Sequence, residues 1–240
     1  FTLNNLACER LCELFGAEHA NIRTLTIEAA SRVVFQALTK RGDVVMSLDL
    51  RKREHCNSHD YSYRFANFGV NPQTQQLDLN ALAMEAMVCQ PRLIIVSPIN
   101  YPLDIDYARL AEIAHQNKAL LWCDISQIAG LVAAGVLNSP LPHADVVTFT
   151  THGALQGPQC SIILSSAALG GQIDRVVTTS GHSGLLKPQL AALACRVREM
   201  QDPVYKEYAQ AVRDNAKALA EGLQRGGAQI LSGGTQRSEE

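Results

Sequence analysis

Five short runs of this chain are apolar at nearly every position, and they limit the folds open to it more than any other feature. They are residues 44–48 (Val-Val-Met-Ser-Leu), 93–97 (Leu-Ile-Ile-Val-Ser), 119–123 (Ala-Leu-Leu-Trp-Cys), 146–149 (Val-Val-Thr-Phe) and 161–164 (Ser-Ile-Ile-Leu). A strand with one wet face alternates polar and apolar residues, so runs that do not alternate call for strands covered on both faces. Helical periodicity fills the gaps between them. Leu79, Leu82, Ala83, Ala86 and Met87 share a face behind Asp78, and Leu110, Ile113 and Ala114 share one behind Asp106; each aspartate is placed to cap a helix. The alternation predicts an α/β fold, a mostly parallel sheet flanked by helices. From Pro188 the pattern is helical through Leu190, Leu193, Ala194 and Val197, then through Tyr205, Val212 and Leu219, with Gly226-Gly227 as the stop. A chain of 240 residues suits one domain, or one and part of a second.

Charge narrows the partners. The formal net charge is -2, which gives no general attraction to nucleic acid or to an anionic membrane. The basic triplet Arg51-Lys52-Arg53 is followed at once by Glu54 and reads as a solvated loop. No apolar run is long enough to span a bilayer, and the first residues are not expected to be a signal peptide. Residues 1–6 already read as the start of a helix, so the chain is expected to begin inside a longer protein. The seven cysteines are odd in number and show neither a CxxC pair nor metal-ligand spacing. Most of them lie in apolar runs, where cysteine acts as a small buried hydrophobe; this suits a reducing compartment, and a cytoplasmic location with no metal is the expectation.

Ligands of open α/β sheets bind beyond the carboxyl ends of the strands. Asp124 closes the run 120–123 and leads into Ile125-Ser126-Gln127, which makes it the first candidate. A lone aspartate there can equally be a helix cap or a solvated loop acid.

Its surroundings carry more. The stretch Asp124-Ile125-Ser126-Gln127-Ile128-Ala129-Gly130-Leu131-Val132-Ala133-Ala134-Gly135-Val136 resembles the serine hydroxymethyltransferase signature. Pro142-His143-Ala144-Asp145-Val146-Val147, Thr150-Thr151-His152, Gly157-Pro158, the early Glu13-Leu14-Phe15-Gly16-Ala17, Asn215-Ala216-Lys217-Ala218 and Ser232-Gly233-Gly234-Thr235 are similar to that family as well. The resemblance implies an aspartate-aminotransferase-like large domain (fold type I) and pyridoxal phosphate as cofactor. It also implies interconversion of serine and glycine with tetrahydrofolate, and a dimer or a pair of dimers. On it, residues 1–187 form the large domain, and 188–240 a helical exit toward a small domain that is mostly absent. Asp124 falls at the acid that pairs with the pyridinium nitrogen, whose protonated ring is an electron sink. His55 falls at the imidazole that stacks on the ring, although its loop lacks the family's glycine- and histidine-rich pattern and a plain loop histidine remains open. Thr26, Ser126, Thr151, His152 and Gly181 fall at further cofactor-facing positions.

Several family features are replaced. Thr151-His152-Gly153 stands where the family has Thr-His-Lys, and none of the lysines (Lys40, Lys52, Lys118, Lys187, Lys206, Lys217) lies at or beside that position. Glycine brings no nucleophile to the cofactor aldehyde. Thr26-Ile27-Glu28 replaces the Ser-Gly-Ser phosphate turn, and two like charges about 4 Å apart repel by roughly 1 kcal/mol in water. Ser180-Gly181-His182-Ser183-Gly184 keeps only part of a glycine-rich loop. Pro98-Ile99-Asn100-Tyr101-Pro102 replaces a serine-rich turn, and Gln127 replaces a histidine. The resemblance therefore implies a catalytically degenerate family member in glycine and serine one-carbon metabolism, dimerising with itself or with an active paralogue. Two alternatives stay open. One is an enzyme of altered chemistry that holds pyridoxal phosphate without a covalent tether and uses His152 as a base, although active members also carry histidine there. The other is a truncated piece of a hydroxymethyltransferase gene.

Overall fold

In the computed structural model, residues 2–48 and 63–238 are described. The elements in chain order are α1 (Leu3–Phe15), β1 (His19–Thr24), α2 (Ile27–Leu38), β2 (Val44–Leu48), β3 (Arg64–Phe68), α3 (Leu79–Cys89), β4 (Leu93–Val96) and α4 (Tyr107–Gln116). They continue with β5 (Leu120–Asp124), α5 (Ala129–Ala133), β6 (Val146–Thr150), a 3-10 turn (Gly153–Leu155), β7 (Ser161–Ser165), α6 (Ala167–Thr179), α7 (Lys187–Glu199) and α8 (Pro203–Arg225).

The strands form one sheet in the order β1-β7-β6-β5-β4-β2-β3. Strands β3, β2, β4, β5 and β6 pair in parallel, while β7 runs antiparallel to both β6 and β1. The fold class expected from sequence is the one observed, and all five apolar runs are strands. β4, β6 and β7 are buried at every residue.

Successive side chains of these strands feed two cores, as the period of two requires. Ile94, Val96, Leu121, Cys123, Val147, Phe149, Ile162 and Leu164 enter one cluster with α1, α4, α5 and α7. Leu93, Ile95, Trp122, Val146 and Ile163 enter the other, closed by Val33, Val34 and Ala37 of α2 and by Ile173 and Val177 of α6. The caps read from sequence are in place: Asp78 Oδ1 accepts from Ala81 N at 2.9 Å and Asp106 Oδ1 from Arg109 N at 3.0 Å. Gly226 is the C-cap of α8, with Gly227 in the left-handed region just beyond.

Two strands have no counterpart among the apolar runs. β1 and β3 are the two edges of the sheet; His19-Ala-Asn-Ile-Arg-Thr has one large buried aliphatic, Ile22, and β3 is mostly half-exposed. An edge strand meets fewer neighbours and carries little hydrophobic pattern.

Phe149 is fully buried, with its ring centroid 4.8 Å from that of Phe15. Phe149→Ala should lower the unfolding free energy by about 3–5 kcal/mol. Urea titration followed by the fluorescence of Trp122, the chain's single tryptophan, measures it.

Candidate functional site

The carboxyl ends of β4, β5 and β6 lie along one edge of the sheet. The register carries Thr24, at the end of β1, to the same edge through Ser161, which pairs with both Thr24 and Thr150. Chain segments that leave this edge bring Thr26, Asp124, Ser126 and Thr151 to one end of the molecule. His55 lies outside the described residues.

Asp124 is the last residue of β5 and is 2% exposed. Its Oδ1 accepts from Ser126 N at 2.8 Å. The Thr148 hydroxyl stands 3.4 Å from its Oδ2 and accepts from the buried Trp122 indole N–H at 2.9 Å. Ser126 Oγ accepts from Thr150 N at 3.2 Å, which ties the β5 exit to the end of β6. The carboxylate is thereby held in one orientation by the strand next to it. From sequence, Asp124 is a candidate by its place after an apolar run, and Ser126 by the resemblance. Sequence reasoning missed Thr148, an inward residue of a buried strand with no local mark of its own.

Beyond β6 the chain makes a stapled turn. Thr151 is fully buried, and its hydroxyl donates to the carbonyls of Pro158 and Cys160 and accepts from Cys160 N at 3.1 Å. Gly157 N donates to Thr151 O at 2.7 Å, and a Cβ on Gly157 would stand 3.1 Å from that oxygen, a tight contact that favours glycine there. From outside, Arg196 Nε donates to Leu155 O at 2.8 Å, and Gln156 Nε2 donates to the Tyr208 hydroxyl at 2.8 Å. Thr151 thus spends its hydrogen bonds inside the turn. His152 is exposed beside it. Gly153 is exposed with φ +77, and a Cβ built there meets nothing within 4 Å.

At the neighbouring helix, Thr26 is the N-cap of α2 and its hydroxyl oxygen accepts from Ala29 N at 3.2 Å. Ile27 packs partly buried against the second core cluster, and Glu28 lies in the first turn. A helix N-terminus draws anions through its free N–H groups and dipole. Here the Thr26 oxygen already takes one of those N–H groups, and Glu28 puts a negative charge in the same turn. Gly181 follows α6 at φ +75, and its loop is pinned by Arg23 Nη2, which donates to His182 O at 2.8 Å.

The thiol nearest this turn is shielded. Burial pushes Cys160 up to about 11, against a smaller lowering by its contact with Thr151. Burial likewise pushes Cys8 up to about 12 and Cys123 well above its ordinary value. Among the described residues no three histidine, cysteine or acidic side chains are grouped to hold a metal ion. Among them, too, no helix is long and apolar enough to cross a membrane.

Chemically, the arrangement offers a fixed, buried carboxylate at the sheet edge and a well-braced turn headed by glycine. Residues 2–238 match the family profile described as serine hydroxymethyltransferase. Curated relatives of that name are 39% identical in Deinococcus deserti, 38% in Acidobacterium capsulatum and 37% in Koribacter versatilis. Each alignment covers 97% of this chain and 59%, 56% and 56% of the respective relative, so the chain spans a little over half of their length.

Because the thiol is neutral wherever its pKa lies far above ambient pH, alkylation at about pH 8 should label exposed Cys195 well before Cys160, Cys123 or Cys8. Peptide mapping of a time course checks the order; early label on Cys160 would mean that the turn opens readily.

Proposed function

We propose that this chain, which belongs to the serine hydroxymethyltransferase family, keeps the family's fold while lacking its covalent cofactor chemistry. The family is pyridoxal-phosphate dependent; the residues present here fit only part of that group. Asp124 suits a cationic ring nitrogen: it is buried, held in place and acidic. The other two anchors do not fit. The α2 N-terminus is capped by Thr26 and carries the acid Glu28 in its first turn, where a phosphate dianion would meet a like charge, and Gly153 gives the aldehyde nothing to condense with.

Gly153 carries the reading. An amine placed there would have room, since nothing lies within 4 Å of its Cβ, yet the chain supplies a bare backbone. On this reading residues 1–187 are the large domain and 188–240 the exit toward a further one. The protein serves glycine and serine one-carbon metabolism in the cytoplasm as a degenerate member, dimerising with itself or with an active paralogue. Ordinary serine–glycine exchange is not its activity.

The test is retention of pyridoxal phosphate. After mixing, borohydride reduction and desalting, the purified chain should carry no stoichiometric label on any single lysine by peptide mass mapping. One lysine labelled to completion would overturn the reading.

Gly153→Lys should fold, at a cost of about 1–2 kcal/mol for the left-handed backbone. It should trap the cofactor efficiently only when combined with Glu28→Ser. If the single variant labels fully at position 153, the α2 N-terminus is no obstacle and that half of the argument fails.

A further inference from the structure

A hollow of about 500 Å³ opens at the amino ends of β2, β3, β4 and β5, at the edge of the sheet opposite Asp124. The turn before β2 (Gly42, Asp43), Arg64 at the start of β3, Gln90 and Arg92 before β4, and Lys118 before β5 line it. We infer that this hollow binds a small phosphate monoester in its dianionic form. The inference goes beyond the proposed function and concerns the other end of the strands. Open sheets usually take ligands at their carboxyl ends, so the case rests on what this end carries.

The first observation is charge. Arg64, Arg92 and Lys118 meet in the lining, and Asp43 is the one acid among its described residues. None of the three cations pairs with an acid among the described residues. Asp43 Oδ2 accepts from Lys40 N at 2.8 Å. Acids just outside the lining are engaged elsewhere: Glu112 by Arg109 and Gln116, Asp145 by His115 and by Leu121 N. Three cations against one acid leave two positive charges in excess.

The second is a braced frame. Arg64 N donates to Asp43 O at 3.0 Å, Arg92 N to Val44 O at 2.8 Å and Leu120 N to Arg92 O at 3.0 Å, so backbone bonds lace the strand entries together. Arg92 Nε also donates to Leu38 O at 3.1 Å, which anchors the root of its guanidinium. The third is backbone conformation. Gln90 and Lys118 sit in the left-handed region at φ +45 and +58, where glycine is the residue without a steric cost. Both positions instead carry a polar side chain into the lining of one hollow. Residues held this way gather at ligand clamps.

A phosphate monoester at about pH 7.5 brings close to two negative charges and three strong acceptor oxygens, which match that excess and three cationic donors. A carboxylate would leave one charge unmatched, and a cation would be repelled. The volume lies in the range of small-molecule pockets and leaves room for the esterified group.

The test is an NMR titration of the isotope-labelled full chain at about pH 7.5 with glycerol 2-phosphate. Sodium chloride at matched ionic strength, sodium acetate and inorganic phosphate serve as comparisons, and no pyridoxal phosphate is present. The backbone amides of Gln90, Arg92, Asn117 and Lys118 should move together and saturably with the ester. Chloride and acetate should give no saturation, and inorganic phosphate should bind more weakly than the ester because it fills less of the hollow. Lys118→Gly suits the left-handed backbone, and Arg64→Gln removes a side chain with no hydrogen bond among the described residues, so both variants should fold. Each should weaken binding of the ester by about tenfold, the worth of one charge-assisted contact. Lys206→Gln, which removes an exposed cation from α8, should leave the affinity unchanged. Absence of saturation with the ester, acetate or inorganic phosphate binding more tightly than it, an unchanged affinity in both lining variants, or an equal loss in Lys206→Gln would each overturn the site. The outcome is independent of whether a lysine retains pyridoxal phosphate, so either proposal can fail alone.

Discussion

Covering a sheet on both faces leaves its chemistry very little room. With α2 and α6 on one side and α1, α4, α5 and α7 on the other, the strand interiors admit polar side chains only where each finds a partner. Thr148 shows how narrow the allowance is. It stands in a strand buried at every residue and touches the Trp122 indole and the Asp124 carboxylate at once. Ligands of open α/β sheets bind along the carboxyl ends of the strands, and there the loops carry Asp124, the Thr151 turn and the α2 N-terminus. The edge is what the two-sided burial leaves over.

This explains how much was legible beforehand. The central strands declared themselves because burial on both faces writes an unbroken apolar run, and Asp124 because an acid ending such a run is conspicuous. β1 and β3 stayed silent because an edge strand is half wet. The turn after β6 was readable as a motif, but the work of Thr151 was not. Its hydroxyl bonds Pro158 and Cys160, residues that only the folded turn brings back upon it. Arg237 lies still further from what a sequence displays. Its partners, Pro98, Tyr101 and Gln127, stand more than a hundred residues earlier, and nothing in Thr235-Gln236-Arg237-Ser238 marks a buried guanidinium.

On the proposed reading, Gly153 and the Thr26-Ile27-Glu28 turn form a physical set. A helix N-terminus has a limited number of free N–H groups and one dipole end, and these can serve the chain's own cap and acid or an external phosphate. In α2 one of them serves Thr26, and Glu28 stands in the first turn. A tethering amine at 153 is useful only while the rest of the cofactor is held near it. Once the phosphate end is given up, the amine has little left to condense with, and a glycine in the left-handed region costs the turn less than a lysine would. The braces around that turn, from Arg196, Gln156 and the Thr151 staple, serve packing and are indifferent to the cofactor.

The same reasoning distinguishes Asp124 from the positions that changed. A carboxylate whose only duty was a ring nitrogen would be costly to keep buried without that ring. Asp124 has a second duty, because its Oδ1 holds Ser126 N and its neighbour Thr148 orders the Trp122 indole. It closes β5 and sets the direction of the chain into α5 whether or not a cofactor is present. Its retention therefore speaks for the fold first. A residue with two duties is weak testimony for either one; on the proposed reading Gly153, at a position with a single duty, is the stronger guide to what this edge of the sheet does.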